Sequence, residues 1–157
     1  MTQSPYTAVA ERPTTFDDVR AAAARIADHV HRTPVLTSRS VNEACGGELF
    51  FKCENFQRIG AFKARGAANA VLSLDEATAA RGVATHSSGN HGAALALAAS
   101  VRGIPSWIVV PTDAPAVKTA SVRRLGAHLV SCEPGLANRE AKLAEVLSET
   151  GAETVHP

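Results

Sequence analysis

The sequence predicts an α/β fold built on a parallel β-sheet. Short apolar segments (VAT, WIVV and HLV) alternate with segments of helical periodicity from residue 83 onward. Strands that alternate with helices at this spacing form βαβ units with right-handed crossovers. Because the apolar segments are short and continuous, we expect parallel strands that are buried beneath helices on both faces of the sheet.

The N-terminal part begins with a segment, residues 1–14, that is expected to be a flexible tail. A helix is predicted over 15–30, where Thr14 and Asp17 resemble an N-terminal capping box. The apolar residues that indicate this helix recur at spacings of three and four: Phe16, Val19, Ala23, Ile26 and Val30.

Beyond the first helix, a short strand is predicted over 48–54 and a second helix over 64–74. The regular part then contains four predicted strands that alternate with three helices. The helices are 91–102, 116–125 and 136–150, and the strand segments are VATHS, SWIVVP, AHLVSCE and ETVHP.

Two structural parts are predicted, and they meet within residues 73–82. Residues 15–75 are interpreted as an incomplete portion of a larger domain, and residues 83–157 as a small parallel α/β domain. Because the chain ends on its last predicted strand, the architecture is expected to be incomplete at the C-terminus, with a single compact domain as the alternative. Apolar side chains of the first part are then expected to be exposed and to favour association: Phe16, Ile26, Leu49 and Phe51.

Composition excludes several classes of function. The 157 residues are 45% hydrophobic and 20% charged, with a formal net charge of +1, as in a soluble globular protein. This balance gives no electrostatic reason to expect nucleic acid or an anionic membrane as a partner. Aromatic residues make up only 4% of the chain, which leaves little material for stacking on bases.

The cysteines and the N-terminus predict a cytoplasmic protein. Cys45, Cys53 and Cys132 form neither a CxxC motif nor a zinc-type cluster, which favours reduced thiols. The first twenty residues lack the apolar core of a signal peptide. The longest apolar run, 93–99, is too short to span a bilayer.

A turn rich in polar side chains, SSGNHG (Ser87 to Gly92), follows a predicted strand and opens a predicted helix. In open α/β sheets ligands bind at this end of the strands. The helix start offers unpaired N–H groups and a partial positive charge, which suit a carboxylate or a phosphate. The simpler interpretation is that Ser88 or Asn90 only caps the helix.

The segment GAFKARGA, Gly60 to Ala67, surrounds Lys63 with small residues, one phenylalanine and the nearby Arg65. A lysine amine becomes a nucleophile at neutral pH when it is partly desolvated or close to another cation. These surroundings suit a covalent bond between Lys63 and a planar aldehyde.

Other catalytic motifs are missing. The sequence has no GxGxxG, no GxxxxGK[ST] and no GxSxG. His86 and His91 are not accompanied by HExxH or by a carboxylate cluster, so no metal site is expected.

Together, GAFKARGA and SSGNHGAA resemble the fold-type II pyridoxal-phosphate enzymes, specifically the serine/threonine dehydratase and serine racemase group. HRTPVLTS (31–38), FKCENFQ (51–57) and PTDAPAVKTASVRRLGA (111–127) support the resemblance, which extends over nearly the whole chain from about residue 16. It implies a three-layer parallel sheet like that of the tryptophan-synthase β subunit, and pyridoxal 5'-phosphate as the cofactor.

The resemblance also implies roles for individual residues. Lys63 would hold the cofactor as a Schiff base and later shuttle the α-proton, while Phe62 would pack near the cofactor ring. Asn90 would hydrogen-bond the 3-hydroxyl of the ring. Ser88 matches the position that serves as the acid/base on the opposite face in the racemases. The turn that would hold the substrate carboxylate contains Ser87, Ser88, Asn90 and His91.

Two departures from the family pattern affect the functional prediction. Many relatives have serine where Ala61 stands, which blurs the substrate. The glycine-rich loop that binds the cofactor phosphate in this family is expected after Pro157. The main expectation is dehydration of L-serine or L-threonine to a 2-keto acid and ammonia, in an enzyme that forms a homo-oligomer. The alternatives are a racemase or another hydroxyamino-acid lyase, and a non-catalytic fragment or binding module.

Overall fold

The computed structural model describes residues 13–156, so the predicted tail over 1–14 lies almost entirely outside the described residues. The helices are α1 (Phe16–Ile26), α2 (Arg39–Cys45), α3 (Lys63–Ser73), α4 (Glu76–Ala80), α5 (Asn90–Arg102), α6 (Ala116–Arg124) and α7 (Leu136–Thr150). The strands are β1 (Val35–Leu36), β2 (Phe51–Lys52), β3 (Val83–His86), β4 (Ser106–Pro111), β5 (His128–Cys132) and β6 (Glu153–Thr154).

The main sheet has four parallel strands, as the sequence predicted, and the structure gives their order as β5-β4-β3-β6. Side chains alternate between its two faces because the period of a strand is two. One face packs under α5 and α6, with the core residues Val83, Leu95, Ile108, Val110 and Val122. The other face packs under α7, with Ala84, Val109, Cys132, Leu143 and Val146. The predicted three-layer α/β arrangement is confirmed.

Helix α3 lies against α5 and continues the core outward from the sheet. Four of its residues are buried, namely Ala64, Ala67, Ala68 and Val71. Three of these are alanines, so the two helix backbones can approach closely. Ala67 and Val71 belong to the same apolar cluster as the sheet residues Val83 and Ile108. This packing places the start of α3 beside the start of α5.

The first helix differs from its prediction at both ends. Its capping box is formed by Thr15 and Asp18, one residue later than the predicted pair of Thr14 and Asp17. Thr15 is extended immediately before the first helical turn, so its Oγ1 can accept from the Asp18 N–H at 3.3 Å. Asp18 Oδ2 in turn accepts from the Thr15 N–H at 2.8 Å. The α-helix ends at Ile26 and continues as one 3₁₀ turn.

The segment between α1 and α3 contains less strand than predicted. The strand expected over 48–54 is limited to Phe51–Lys52, which pairs antiparallel with Val35–Leu36.

Two short helices were not predicted: α2, which lies in this segment, and α4, which follows α3. Neither has enough apolar residues to show a helical period.

Exposure of the apolar side chains in the first part follows the prediction at three of four positions. Phe16, Leu49 and Phe51 are exposed, whereas Ile26 is only 7% exposed. The prediction for Ile26 was wrong because the last turn of α1 reaches α3, where Arg25 hydrogen-bonds Asn69. Within residues 13–156, no helix combines the length and the apolar character needed to cross a bilayer.

Candidate active site at the start of two packed helices

Lys63 is the first residue of α3, and it is half-buried at the side of a cleft of about 320 Å³. Its Nζ lies 5.6 Å from the centroid of the Phe62 ring. The remaining α3 residues that line the cleft are small: Gly66, Ala67 and Ala70. Spacings of three, four and seven from Lys63 put these residues on the face of α3 that carries the amine.

The loop that leads to Lys63 is held by one buried amide. Gln57 is 3% exposed, and its Oε1 accepts from the N–H groups of His31 at 2.8 Å and Arg58 at 2.9 Å. Its Nε2 donates to the His31 carbonyl at 2.8 Å. Ile59 then adopts a φ of 56°, which is rare for a β-branched residue. The path of the chain before Lys63 is therefore fixed by tertiary contacts.

Arg65 does not act as the cationic neighbour that the sequence predicted for Lys63. Two residues along a helix point to nearly opposite sides. Arg65 instead forms a bidentate ion pair with Glu54, through Nε at 2.9 Å and Nη2 at 2.8 Å. The hydrogen bond from Arg65, with a further one from Thr33, outweighs burial and lowers the pKa of Glu54 to about 2. The same pair raises the pKa of Arg65.

The SSGNHG turn connects β3 to α5, as predicted. Gly89 is the N-cap of α5, and no side chain caps the helix there. The expectation that Ser88 or Asn90 serves only as a cap is therefore wrong. Ser87 Oγ accepts from the Gly89 N–H at 3.2 Å, and Asn90 is exposed as the first residue of α5. The N–H groups of the first helical turn stay available for an anion.

Gly92 allows α5 to start close to the sheet. A Cβ at this position would lie 2.9 Å from Ile108 Cγ2 and 2.9 Å from the Ser87 carbonyl oxygen. Any side chain would therefore push the helix start away from β4 and from the turn. The last glycine of the motif is needed for close packing and not for a turn conformation.

Two buried histidines flank the turn. His91 lines the same cleft as Lys63, and its Nε2 lies 3.0 Å from the Val155 carbonyl oxygen. His86, at the end of β3, has no hydrogen-bond partner for either buried ring nitrogen among residues 13–156. Burial lowers the pKa of both imidazoles.

The structure brings some of the predicted site residues together. Phe62, Lys63 and His91 line one cleft, together with Val155 and His156, which were not predicted. Ser87, Ser88 and Asn90 lie beside it in the β3–α5 turn and do not line it. Their individual roles remain predictions. The Glu54–Arg65 pair was also missed, because no local spacing rule connects residues eleven apart across a loop.

A metal centre has no support in the described part of the chain. Between residues 13 and 156, no three His, Cys, Asp or Glu side chains lie close enough together to hold a metal ion. All three cysteines are free: Cys45 is exposed, and Cys53 and Cys132 are buried.

Comparison with known proteins gives a consistent result. Over 143 residues the chain is 54% identical to a beta-hydroxyaspartate dehydratase of Paracoccus denitrificans (strain Pd 1222), covering 91% of this chain and 45% of the relative. The structure of maize serine racemase superposes with a TM-score of 0.90 at 49% identity, covering 93% of this chain and 44% of that one. The structure of a T.th. threonine deaminase gives 0.84 at 40% identity, with 92% and 45% covered.

The chain therefore spans somewhat less than half the length of the relatives that it matches. Residues 26–157 match the family described as "Pyridoxal-phosphate dependent enzyme". The match covers most of the chain and includes both the Lys63 segment and the SSGNHG turn. The fold, the cleft and the family match agree: this chain belongs to the pyridoxal-phosphate dependent enzymes.

Proposed function

We propose that this protein acts, with pyridoxal phosphate, on the α-carbon of a small hydroxyamino acid. The observation that carries the proposal is the position of Lys63 at the start of α3, in a cleft of about 320 Å³ that also reaches His91. A covalent cofactor site needs such an amine beside a space large enough for a flat ring.

The chain's own residues fit this cofactor. Beyond Lys63, the cleft face of α3 carries only small side chains, and a Cβ added at Gly66 would meet no atom within 4 Å. A planar ring can therefore lie along α3 without displacing side chains, with Phe62 at one end. When bound, pyridoxal phosphate withdraws electrons from the bonds at the α-carbon of an amino acid.

In the proposed mechanism the protein supplies binding and proton transfer. Lys63 would hold the cofactor through Nζ, and its amine, once released by the amine of the substrate, would take the α-proton on one side of the substrate. Ser88 lies in the turn and donates or accepts a proton on the other side. The unpaired N–H groups at the start of α5, with Ser87, bind the carboxylate. Asn90 would hydrogen-bond the 3-hydroxyl of the cofactor ring and orient it.

Racemisation of serine is the better supported reaction. Maize serine racemase, at 49% identity, is more similar to this chain than the T.th. threonine deaminase, at 40%. Dehydration is the second candidate, because the relative that is 54% identical is a beta-hydroxyaspartate dehydratase. The first expectation, a dehydratase for L-serine or L-threonine, therefore ranks below its racemase alternative.

Chemical trapping tests the cofactor site. The full chain is incubated with pyridoxal phosphate and reduced with borohydride, and the modified peptide is identified by mass spectrometry. We expect the label on Lys63, and we expect Lys63→Ala to lose it while Lys118→Ala, on α6, keeps it. No label, or the same label in Lys63→Ala, would contradict the proposal and favour a non-catalytic binding module.

Product analysis then separates the two reactions. With L-serine, a racemase gives D-serine and a dehydratase gives pyruvate and ammonia; beta-hydroxyaspartate and L-threonine test the other dehydratase substrates. Failure to form any of these products would contradict both candidates.

We also propose a cytoplasmic homo-oligomer. The three free cysteines are consistent with a reducing compartment. Exposed apolar side chains on α1 and the β1–β2 ribbon, such as Phe16 and Phe51, offer a surface for association. Light scattering that finds only monomers at micromolar concentration would contradict the oligomer.

A further inference from the structure

His91 is held in one orientation by a backbone carbonyl. It is the second residue of α5 and is 7% exposed. Its Nε2 lies 3.0 Å from the Val155 carbonyl oxygen. A carbonyl oxygen only accepts hydrogen bonds, so Nε2 must carry the hydrogen and donate it.

The carbonyl is itself fixed by the sheet. The Val155 N–H donates to the Ala84 carbonyl oxygen at 3.0 Å, which continues the pairing of β6 with β3. Rotation of the Val155 peptide would break this bond. The hydrogen bond to His91 is therefore as rigid as the parallel sheet, and it selects the Nε2–H tautomer.

The surroundings of His91 keep the ring neutral. Burial is the largest cause that lowers its pKa, and the electrostatic effect of three groups on neighbouring elements lowers it further. These groups are Lys63 on α3, His86 on β3 and His156 after β6, while the Val155 carbonyl acts in the opposite direction. The positive end of α5 also disfavours an imidazolium at its second residue. A neutral ring with hydrogen on Nε2 leaves Nδ1 with a lone pair and no hydrogen.

Nδ1 is the ring nitrogen of His91 that does not bond the Val155 carbonyl. His91 lines the cleft at the start of α5. Lys63 and Phe62 line the same cleft. A ligand beside Lys63 therefore meets a hydrogen-bond acceptor on the α5 side.

We infer that His91 accepts a hydrogen bond through Nδ1 from the side-chain hydroxyl of the bound amino acid and does not bind its carboxylate. The identity of the substrate in this inference rests on the proposed function. A carboxylate has no hydrogen to donate and would be repelled by the lone pair. The amine of the substrate is committed to the cofactor, so the hydroxyl is the donor that remains. His91 then selects hydroxyamino acids, and the carboxylate binds the N–H groups and hydroxyls of the turn.

The first test examines His91 without any substrate. Long-range ¹H–¹⁵N correlation spectra of the histidine-labelled full chain report the hydrogen on each ring nitrogen. We expect the Nε2–H tautomer of His91 at pH 7 and a pKa below that of a free histidine. A hydrogen on Nδ1 at neutral pH would overturn the inference whatever the enzyme does.

The second test uses two substitutions with opposite effects. His91→Gln keeps a donor for the Val155 carbonyl and has no acceptor at the Nδ1 position, whereas His91→Asn keeps that acceptor and loses the donor. Binding of L-serine and of L-alanine to the cofactor-loaded protein is measured by the change in its visible spectrum. We expect His91→Gln to reduce the preference for serine by roughly three- to tenfold, the value of one hydrogen bond, and His91→Asn to retain it.

Equal weakening of serine and alanine in His91→Gln would indicate a carboxylate contact and overturn the inference. If His91→Asn fails to fold, as its melting curve would reveal, the comparison of His91→Gln with the unmodified protein decides alone. If the unmodified protein binds no amino acid, the proposed function fails, and the tautomer measurement still decides the state of His91.

Discussion

The Glu54–Arg65 ion pair gives a quantitative prediction of how stability depends on pH. The two side chains are 21% and 33% exposed, and they share two hydrogen bonds. The lowering of the Glu54 pKa from 4.5 to about 2 would amount to about 3.5 kcal/mol in full, at about 1.4 kcal/mol for each pKa unit. Partial exposure screens the pair, so we expect Glu54→Gln to cost about 1–2 kcal/mol at pH 7.

The sign of the pH dependence follows from the direction of the shift. The folded protein holds the Glu54 proton less tightly than the unfolded chain does, so this stabilisation is complete above about pH 4.5. It is lost as the pH falls through about 2. The difference in unfolding free energy between the unmodified protein and Glu54→Gln should therefore shrink steadily across this interval.

Urea unfolding at pH 7, 4, 3 and 2.5 measures the difference directly. The matched control is Glu43→Gln, because Glu43 pairs with Arg39 at 3.7 Å while their side chains are 72% and 93% exposed. Such a pair is worth at most about 0.5 kcal/mol. A cost for Glu54→Gln that equals the control, or that is the same at pH 2.5 as at pH 7, would refute the reasoning.

Three further substitutions or measurements test the packing and the caps. In urea unfolding, Gly92→Ala should lower the free energy of unfolding by about 1–3 kcal/mol, because the methyl group would lie 2.9 Å from Ile108 Cγ2 on the neighbouring strand. The control is Gly66→Ala, which has open space around it and should be neutral or stabilising. Thr15→Ala should cost about 1 kcal/mol through loss of the cap, and an equal cost for Thr14→Ala would contradict this assignment. In a thiol titration of the native protein only Cys45 should react rapidly, and a second fast thiol would show that the burial of the others is wrong.

Much of the fold follows from local sequence patterns. Helices such as α7 (Leu136–Thr150) were predicted to the residue, because a long amphipathic period ends at Gly151, which has a φ of 67°. The four parallel strands were also located correctly, since short continuous apolar segments between helices are typical of buried parallel strands. The N-terminal region was predicted less well. The strand at Phe51–Lys52 is shorter than expected because it pairs only with the two residues Val35–Leu36.

The position of the candidate site was predicted from the motifs, while its geometry was not. GAFKARGA and SSGNHG each indicated one half of a site, and the packing of α3 on α5 places Lys63 and His91 in one cleft. The expected role of Arg65 as a cation beside Lys63 was wrong. Its direction is set by Glu54, which lies across the loop that the Gln57 amide holds in place.

The sequence by itself determined the alternation of strands and helices from residue 83 onward, the two motifs and the family, because these depend on residue type and on short-range spacing. Only the tertiary structure decided which groups meet. Val155 follows the last strand, and its carbonyl reaches His91, 64 positions earlier in the chain, because β6 pairs with β3. No local pattern encodes that contact. The lowered pKa of His91 follows first from burial and then from the neighbouring Lys63, His156 and His86, and this environment exists only once the chain has folded.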